Sequence, residues 1–241
     1  PSQAIMNNII GTYNLIESSI SSSSKKTKMI NISTDKAVRP TSILGISKRI
    51  AEIICHSYSF KTKSKIEIST VRFGNVFGSM GSVVSLFLEK INNGENVEIT
   101  NKKAARFFMS INEACNLVIE ATQIKKSYKT FILDMGKPVN IFELLKKIVE
   151  LKKSQDKNFK IKIIETGLKK GEKISEQLSL NNKLIKTSVP GILEVNENKY
   201  PIHQVEELIN KIKNKNIQNK PSKIIRVLKK FLKKEISKNL N

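Results

Sequence analysis

Apolar positions along the chain recur at two periods, and the two periods take turns. Ile5, Ile9, Tyr13 and Ile16 fall three and four apart, which predicts an amphipathic helix over 4–20 that ends in the serine run 21–24. Met29, Ile30 and Ile32 then suit a buried strand that ends near Thr34. Thr41 or Ser42 can cap a helix running to about Phe60, and Pro40 keeps the loop before it out of helix. A second strand is predicted over 66–76, a helix over 82–93 and a short strand over 95–100. Helical spacing returns at 111–124, 141–152 and 205–213, with strands near 129–134 and 160–165. Towards the end, Ile224, Val227, Leu228 and Phe231 predict a helix in a lysine-rich stretch. Strands alternating with helices predict an α/β fold.

Composition narrows the function classes. A chain of 241 residues can bury an ample core as one large domain or a domain and a half. No apolar run approaches the ~18 residues that span a bilayer, and no signal-peptide pattern opens the chain. A cytoplasmic protein is expected, at most peripheral to the inner membrane through its basic amphipathic end. Cys55 and Cys115 sit far apart in apolar helical patterns and are expected to be buried free thiols. His56 and His203 are isolated, so no metal site is expected. The 43 basic and 21 acidic residues give a net charge of +22, which invites a nucleic-acid reading. The excess is nearly all Lys, no Trp is present and no aromatic platform interleaves the charge, so no nucleic-acid partner is expected. A positive field would still favour an anionic substrate.

The candidate chemistry lies at predicted strand ends. Asn31-Ile-Ser-Thr-Asp-Lys-Ala-Val-Arg-Pro40 and Leu44-Gly-Ile-Ser-Lys48 place Thr34, Asp35 and Lys36 at the carboxyl edge of a strand, where open α/β sheets bind ligands. Leu44 and Lys48, four apart, share one face of the next helix. Gly74-Asn75 falls on the same kind of edge. Asp35-Lys36 alone would read as a solvated turn pair, and the rest of the chain is what raises it.

Four further blocks follow in order: Val71-Arg-Phe-Gly-Asn-Val-Phe-Gly-Ser-Met-Gly-Ser-Val-Val84, Arg106-Phe-Phe-Met-Ser-Ile-Asn-Glu-Ala114, Phe131-Ile-Leu-Asp-Met-Gly-Lys-Pro-Val139 and Thr166-Gly-Leu-Lys-Lys-Gly-Glu-Lys173. With the catalytic-type segment they resemble the nucleotide-sugar 4,6-dehydratases of bacterial polysaccharide biosynthesis, within the extended short-chain dehydrogenase/reductase enzymes. The resemblance spans 1 to about 200. It implies the C-terminal portion of a Rossmann-type parallel sheet plus a smaller α/β substrate-binding region. The implied domains are a partial Rossmann-like domain over 1–125, a nucleotide-sugar-binding region over 126–203 and a basic helical tail over 204–241.

The chemistry implied by the resemblance is NAD-dependent dehydration of a UDP-linked N-acetyl-hexosamine. Hydride leaves sugar carbon 4, water is eliminated across carbons 5 and 6, and the hydride returns to carbon 6. Lys36 resembles the base and Asp35 the acid of the elimination, Thr34 can hydrogen-bond the 4-oxygen, and Lys48 would hold the nicotinamide ribose. Asn75, Ser82, Val83, Arg106, Lys169 and Glu172 match substrate-binding positions, with Arg106 as the diphosphate clamp. Lys169 stands where the family has Arg, which keeps the charge and loses the planar fork. Leu44 replaces a residue that is often Tyr, which steers away from Tyr-dependent epimerases. The strand, Gly-rich turn and helix that hold a dinucleotide pyrophosphate do not occur in this sequence; Gly78-Ser-Met-Gly-Ser82 belongs by position to the sugar side. The resemblance therefore implies that the N-terminal cofactor-binding part is absent from this sequence, which corresponds to the C-terminal portion of a truncated, split or frameshifted gene or to a partner completed by a separate polypeptide. It also implies a homo-oligomer of the full enzyme, paired through the helix at 42–60. A non-catalytic remnant that binds a nucleotide sugar, and a 4-epimerase, are the competing readings.

Overall fold

The computed structural model describes residues 2–22, 27–61, 66–79, 81–124, 129–180, 183–214 and 220–233. It divides into two compact units that interleave along the chain: Pro1–Phe73, Leu117–Asp134 and Gln177–Asn241 form the first, Gly74–Asn116 and Met135–Glu176 the second. The sequence reading divides the chain at 125 and 203 instead. Both of those positions fall inside the first unit, because the chain leaves its sheet and returns to it twice.

The first unit is built on a five-stranded sheet. Strands β1 (Thr27–Thr34), β2 (Ile66–Phe73) and β7 (Thr130–Leu133) run parallel, and β11 (Ile192–Val195) and β10 (Leu184–Lys186) extend the sheet antiparallel in the order β1-β2-β7-β11-β10. The expected Rossmann-type sheet is therefore parallel in its first three strands and mixed beyond them. In β2, residues Ile68 to Arg72 are all buried, as a central parallel strand covered on both faces must be. That continuity, rather than alternation, ends at Phe73, three residues before the predicted end.

Helices pack on this sheet through one isoleucine-rich core. The predicted N-terminal helix exists in three pieces: α1 (Ser2–Ile5), a π-helical stretch over Met6–Gly11, and α2 (Thr12–Ser22). Apolar spacing alone cannot register a widened turn, because Ile5, Ile9, Ile10 and Ile16 are still buried together. Helix α3 (Ile43–Lys61) buries thirteen of its nineteen residues. It touches β1, β2, α2, α7 (Ile202–Lys213) and the last described helix, here α8 (Pro221–Phe231). In α8 the stripe Ile224 and Leu228 is fully buried in the same core, and Tyr200 stacks on Phe231 at 5.3 Å. The lysine-rich end thus closes the first unit through its apolar face, where each fully buried Ile or Leu contributes roughly 1.5–3 kcal/mol.

The second unit is smaller and has its own core. Helices α4 (Val83–Asn92) and α6 (Ile141–Gln155) enclose Phe87, Ile91, Val97, Phe108, Leu145 and Val149. Three two-stranded pairs complete it: β3 (Asn75–Val76) with β6 (Phe108–Met109), β4 (Val97–Ile99) with β9 (Ile163–Glu165), and β5 (Ala105–Arg106) with β8 (Val139–Asn140). Two-residue strands carry no readable period, and sequence analysis foresaw only β4 and β9 among them. Helix α5 (Ile111–Ala121) corrects one expectation. Its buried positions are Ala114 and Ala121, so Cys115 points off that face and is exposed. Cys55 is buried as expected, and burial pushes its thiol up, out of reach of thiolate chemistry.

Four charged side chains form one buried cluster inside the first unit. Glu52 on α3 accepts from Arg72 Nε at 2.7 Å and Nη2 at 2.6 Å, and from Arg49 Nη1 at 3.0 Å. Glu197, after β11, lies 2.8 Å from Arg49 Nη1 and 2.7 Å from Arg72 Nη1; both are close ion pairs without hydrogen-bond geometry. All four side chains are at most 5% exposed. Burial pushes the Glu52 carboxyl up, but Arg72 and Arg49 outweigh it and hold the group below the ordinary value of 4.5.

Two consequences follow for stability. Glu52→Gln leaves two buried guanidinium groups facing one carboxylate and is expected to cost about 3–5 kcal/mol in urea unfolding. Because the folded-state value of Glu52 is depressed, its contribution is fully present above pH 4.5 and is lost as pH falls through the lowered value, so the variant's stability should depend less on acid than the parent's. Gly45 is the other sensitive point. A Cβ there would sit 2.3 Å from the Lys36 carbonyl oxygen and 3.1 Å from Pro40 Cβ, so Gly45→Ala should displace the 35–40 loop and lower the melting temperature.

Candidate functional site

The predicted catalytic cluster forms where β1 ends. Thr34, extended, caps a single 3₁₀ turn over Asp35–Ala37, its hydroxyl oxygen accepting from Lys36 N–H at 3.4 Å. That turn folds the next two side chains onto each other. Asp35 is fully buried, and its Oδ1 accepts from Thr34 Oγ1 at 2.9 Å and from Lys36 Nζ at 3.0 Å. The other oxygen, Oδ2, is buried with no hydrogen-bond partner among the described residues. A buried carboxyl oxygen without a hydrogen-bond partner carries an uncompensated desolvation cost. Lys36 is partly exposed, with 30% of its side chain in solvent, so its amine can meet a ligand.

Lys48 is placed by α3 but not brought onto the Asp35 cluster. Its Nζ donates to the Ile32 carbonyl at 3.1 Å, two residues before the strand ends. Leu44, one turn earlier, is 47% exposed, so an apolar side chain occupies solvent on this face. One contact was not foreseen: Asn8, in the π-helical stretch, donates to Ser47 Oγ at 2.9 Å and fixes α3 beside Lys48. A polar pair Asn7-Asn8 inside an apolar stripe was the available signal.

The predicted substrate-binding residues lie in the second unit, where a cavity of about 180 Å³ is lined by Asn75, Val83, Glu98, Thr100, Arg106 and Glu172, among others. Such a volume takes part of a ligand rather than a whole nucleotide sugar. Arg106 on β5 donates through Nη1 to the Ala105 and Ile174 carbonyls at 2.8 and 3.0 Å, and through Nη2 to Glu172 Oε1 at 3.2 Å. Ser82 spends its hydroxyl as the cap of α4, accepting from Ser85 N–H at 3.3 Å. Lys169 is exposed and reaches Glu172 through its backbone N–H at 3.2 Å. Thr100, which sequence reasoning left unassigned, donates to Glu172 Oε1 at 2.7 Å. Its place at the end of a predicted strand was its only mark.

For a nicotinamide dinucleotide the fit is partial. Lys48, half-exposed beside the end of β1, suits a ribose. Gly78 and Gly81 do precede the N-terminus of α4, but that turn lies in the second unit with the residues expected to meet the sugar nucleotide; among the described residues no other strand leads through a glycine-rich turn into a helix N-terminus, so nothing further here fits the pyrophosphate of the cofactor.

Residues 1–197 match the model of a family described as polysaccharide biosynthesis protein. Capsular polysaccharide biosynthesis protein CapD of Staphylococcus aureus is 41% identical over 184 residues, covering 76% of this chain and 30% of that protein. A UDP-glucose 4-epimerase of Rickettsia rickettsii is 32% identical over 187 residues, covering 77% of this chain and 52% of that one. Among solved structures, Pen from Bacillus thuringiensis superposes with a TM-score of 0.72 at 32% identity, over 88% of this chain and 69% of that one. A dTDP-glucose 4,6-dehydratase of Bacillus anthracis, solved with NAD, shares the fold at a TM-score of 0.60 and 16% identity, over 73% of this chain and 60% of that one. The chain spans about a third to a half of the curated relatives it matches. With five motif blocks in order, a Rossmann-type sheet and a family match over most of its length, the chain belongs to the polysaccharide biosynthesis protein family.

Proposed function

We propose that this chain carries the proton-transfer and nucleotide-binding residues of an NAD-dependent 4,6-dehydratase that converts a UDP-N-acetyl-hexosamine to its 4-keto-6-deoxy derivative. The observation that carries the reading is the cluster of Thr34, Asp35 and Lys36, in which a fully buried carboxyl holds a hydroxyl and an amine on one oxygen and keeps the other open. Elimination needs a base for the carbon-5 proton and an acid for the departing hydroxyl. Lys36 takes the first role from its partly exposed position, and Asp35, the carboxyl in contact with both Thr34 and Lys36, takes the second. Thr34 turns its one O–H from Asp35 to the 4-oxygen as negative charge builds there. NAD, when bound, supplies oxidation at carbon 4 and the return of hydride, with Lys48 against its ribose. Arg106, Asn75 and the Ser82–Val83 turn at the start of α4 bind the diphosphate, Glu172 sets Arg106, and Lys169 adds charge at the rim.

Epimerisation is the second reading, favoured by the 32% identity to proteins named UDP-glucose 4-epimerase. Leu44 counts against it, since no proton can pass through that side chain. The two free cysteines suit a reducing cytoplasmic setting.

The test is incubation with UDP-N-acetylglucosamine and NAD⁺, alone and with a polypeptide supplying a glycine-rich NAD-binding segment. A product lighter by one water is expected only in the completed mixture, and Lys36→Met should lower its rate by about 10²–10⁴-fold. An isomer of unchanged mass would favour the epimerase. Binding without conversion in either mixture would leave only nucleotide-sugar binding.

A further inference from the structure

Arg106 is held as if on a bracket. Three of its N–H donors are committed, two to the Ala105 and Ile174 carbonyls and one to Glu172. What remains is Nε–H and one Nη2–H, the pair with which a guanidinium takes an oxyanion side-on, as Arg72 takes Glu52 in the other unit. The backbone carbonyls are fixed, so the one adjustable support is the Glu172 carboxylate. Its side chain is 24% exposed, and its orientation rests on two donors: Thr100 Oγ1 on Oε1 and Lys169 N–H on Oε2. Thr100 gives the shorter contact, 2.7 Å against 3.2 Å, and to the same oxygen that receives Arg106.

We propose that Thr100 is a positioning residue for diphosphate binding, acting through Glu172 on Arg106. The proposal rests on the reading of Arg106 as the diphosphate clamp. Without the hydroxyl, Glu172 keeps the Lys169 N–H on Oε2 but only Arg106 itself on Oε1, so nothing independent of Arg106 holds that oxygen; the carboxylate can swing towards solvent, and Arg106 loses the stop that aims its free edge into the cavity. Glu172 also neutralises Arg106 while the cavity is empty, so a largely buried cation is not left alone. Thr100 itself lines the cavity, so a direct touch on the ligand has to be separated from the relay.

A double-mutant cycle on the 241-residue chain, read by calorimetric titration with UDP, separates them. Thr100→Val should weaken binding about five- to tenfold with an unchanged melting temperature, and Thr100→Ser should restore the parent value. In an Arg106→Lys background, Thr100→Val should add nothing. Equal weakening in both backgrounds would mean that Thr100 touches UDP directly and would overturn the relay. Parent-like affinity of Thr100→Val alongside weak binding by Arg106→Lys would also overturn it while sparing Arg106 as the clamp. Full affinity in Arg106→Lys, or no UDP binding by the parent chain, would remove the clamp and the relay together.

Discussion

The buried charge cluster of Arg49, Glu52, Arg72 and Glu197 is the constraint on which the first unit depends. Two cations and two anions, each almost without solvent, sit where α3, β2 and the segment after β11 meet. Ions taken out of water are tolerated only when all their partners are in place, so each element's position is tied to the others. Ser33 stands opposite Arg72 in the parallel register of β1 and β2, one residue before the Thr34 cap. The cluster thereby fixes the strand end from which the Asp35 turn departs. Glu197 extends the same tie to a part of the chain distant in sequence, and α7 and α8 then bury α3 from the other side.

Against that frame, the Asp35 cluster is local chemistry made by three consecutive residues. Thr34 in extended backbone caps the turn, the turn buries Asp35, and burial leaves Lys36 as the neighbour that can also reach solvent. Gly45 permits it, since no larger residue fits between α3 and the Lys36 carbonyl. The helix expected to pair two copies is mostly covered within this chain: α3 buries thirteen of nineteen residues, against α7 and α8 among others.

In the second unit, the proposed diphosphate site is organised around a single guanidinium. Arg106 is buried among carbonyls and one carboxylate, so its direction is set before any ligand arrives, and preorganisation of this kind lowers the ordering cost of binding. Glu172, by position a substrate residue, spends its oxygens on Thr100, Lys169 and Arg106.

Much of this was legible beforehand. Thr34, Asp35 and Lys36 are adjacent, so a strand end and a turn suffice to bring them together, and the periods of three to four and of two located every long helix and β1, β2 and β7. Period and motif order fixed the α/β class and the family. Other features were decided only by tertiary contacts. The two-residue strands of the second unit are too short to carry a period, and the antiparallel strands β10 and β11, unread in the sequence, are likewise defined by pairing. The exposure of Cys115 depends on which side of α5 is covered. The charge cluster joins residues 49, 52, 72 and 197, and the Arg106 bracket joins 100, 106, 169 and 172. A sequence states which ions and hydroxyls are present; only the folded chain decides which of them lose water together, and burial is what turns an ordinary Arg, Glu or Thr into a fixed partner.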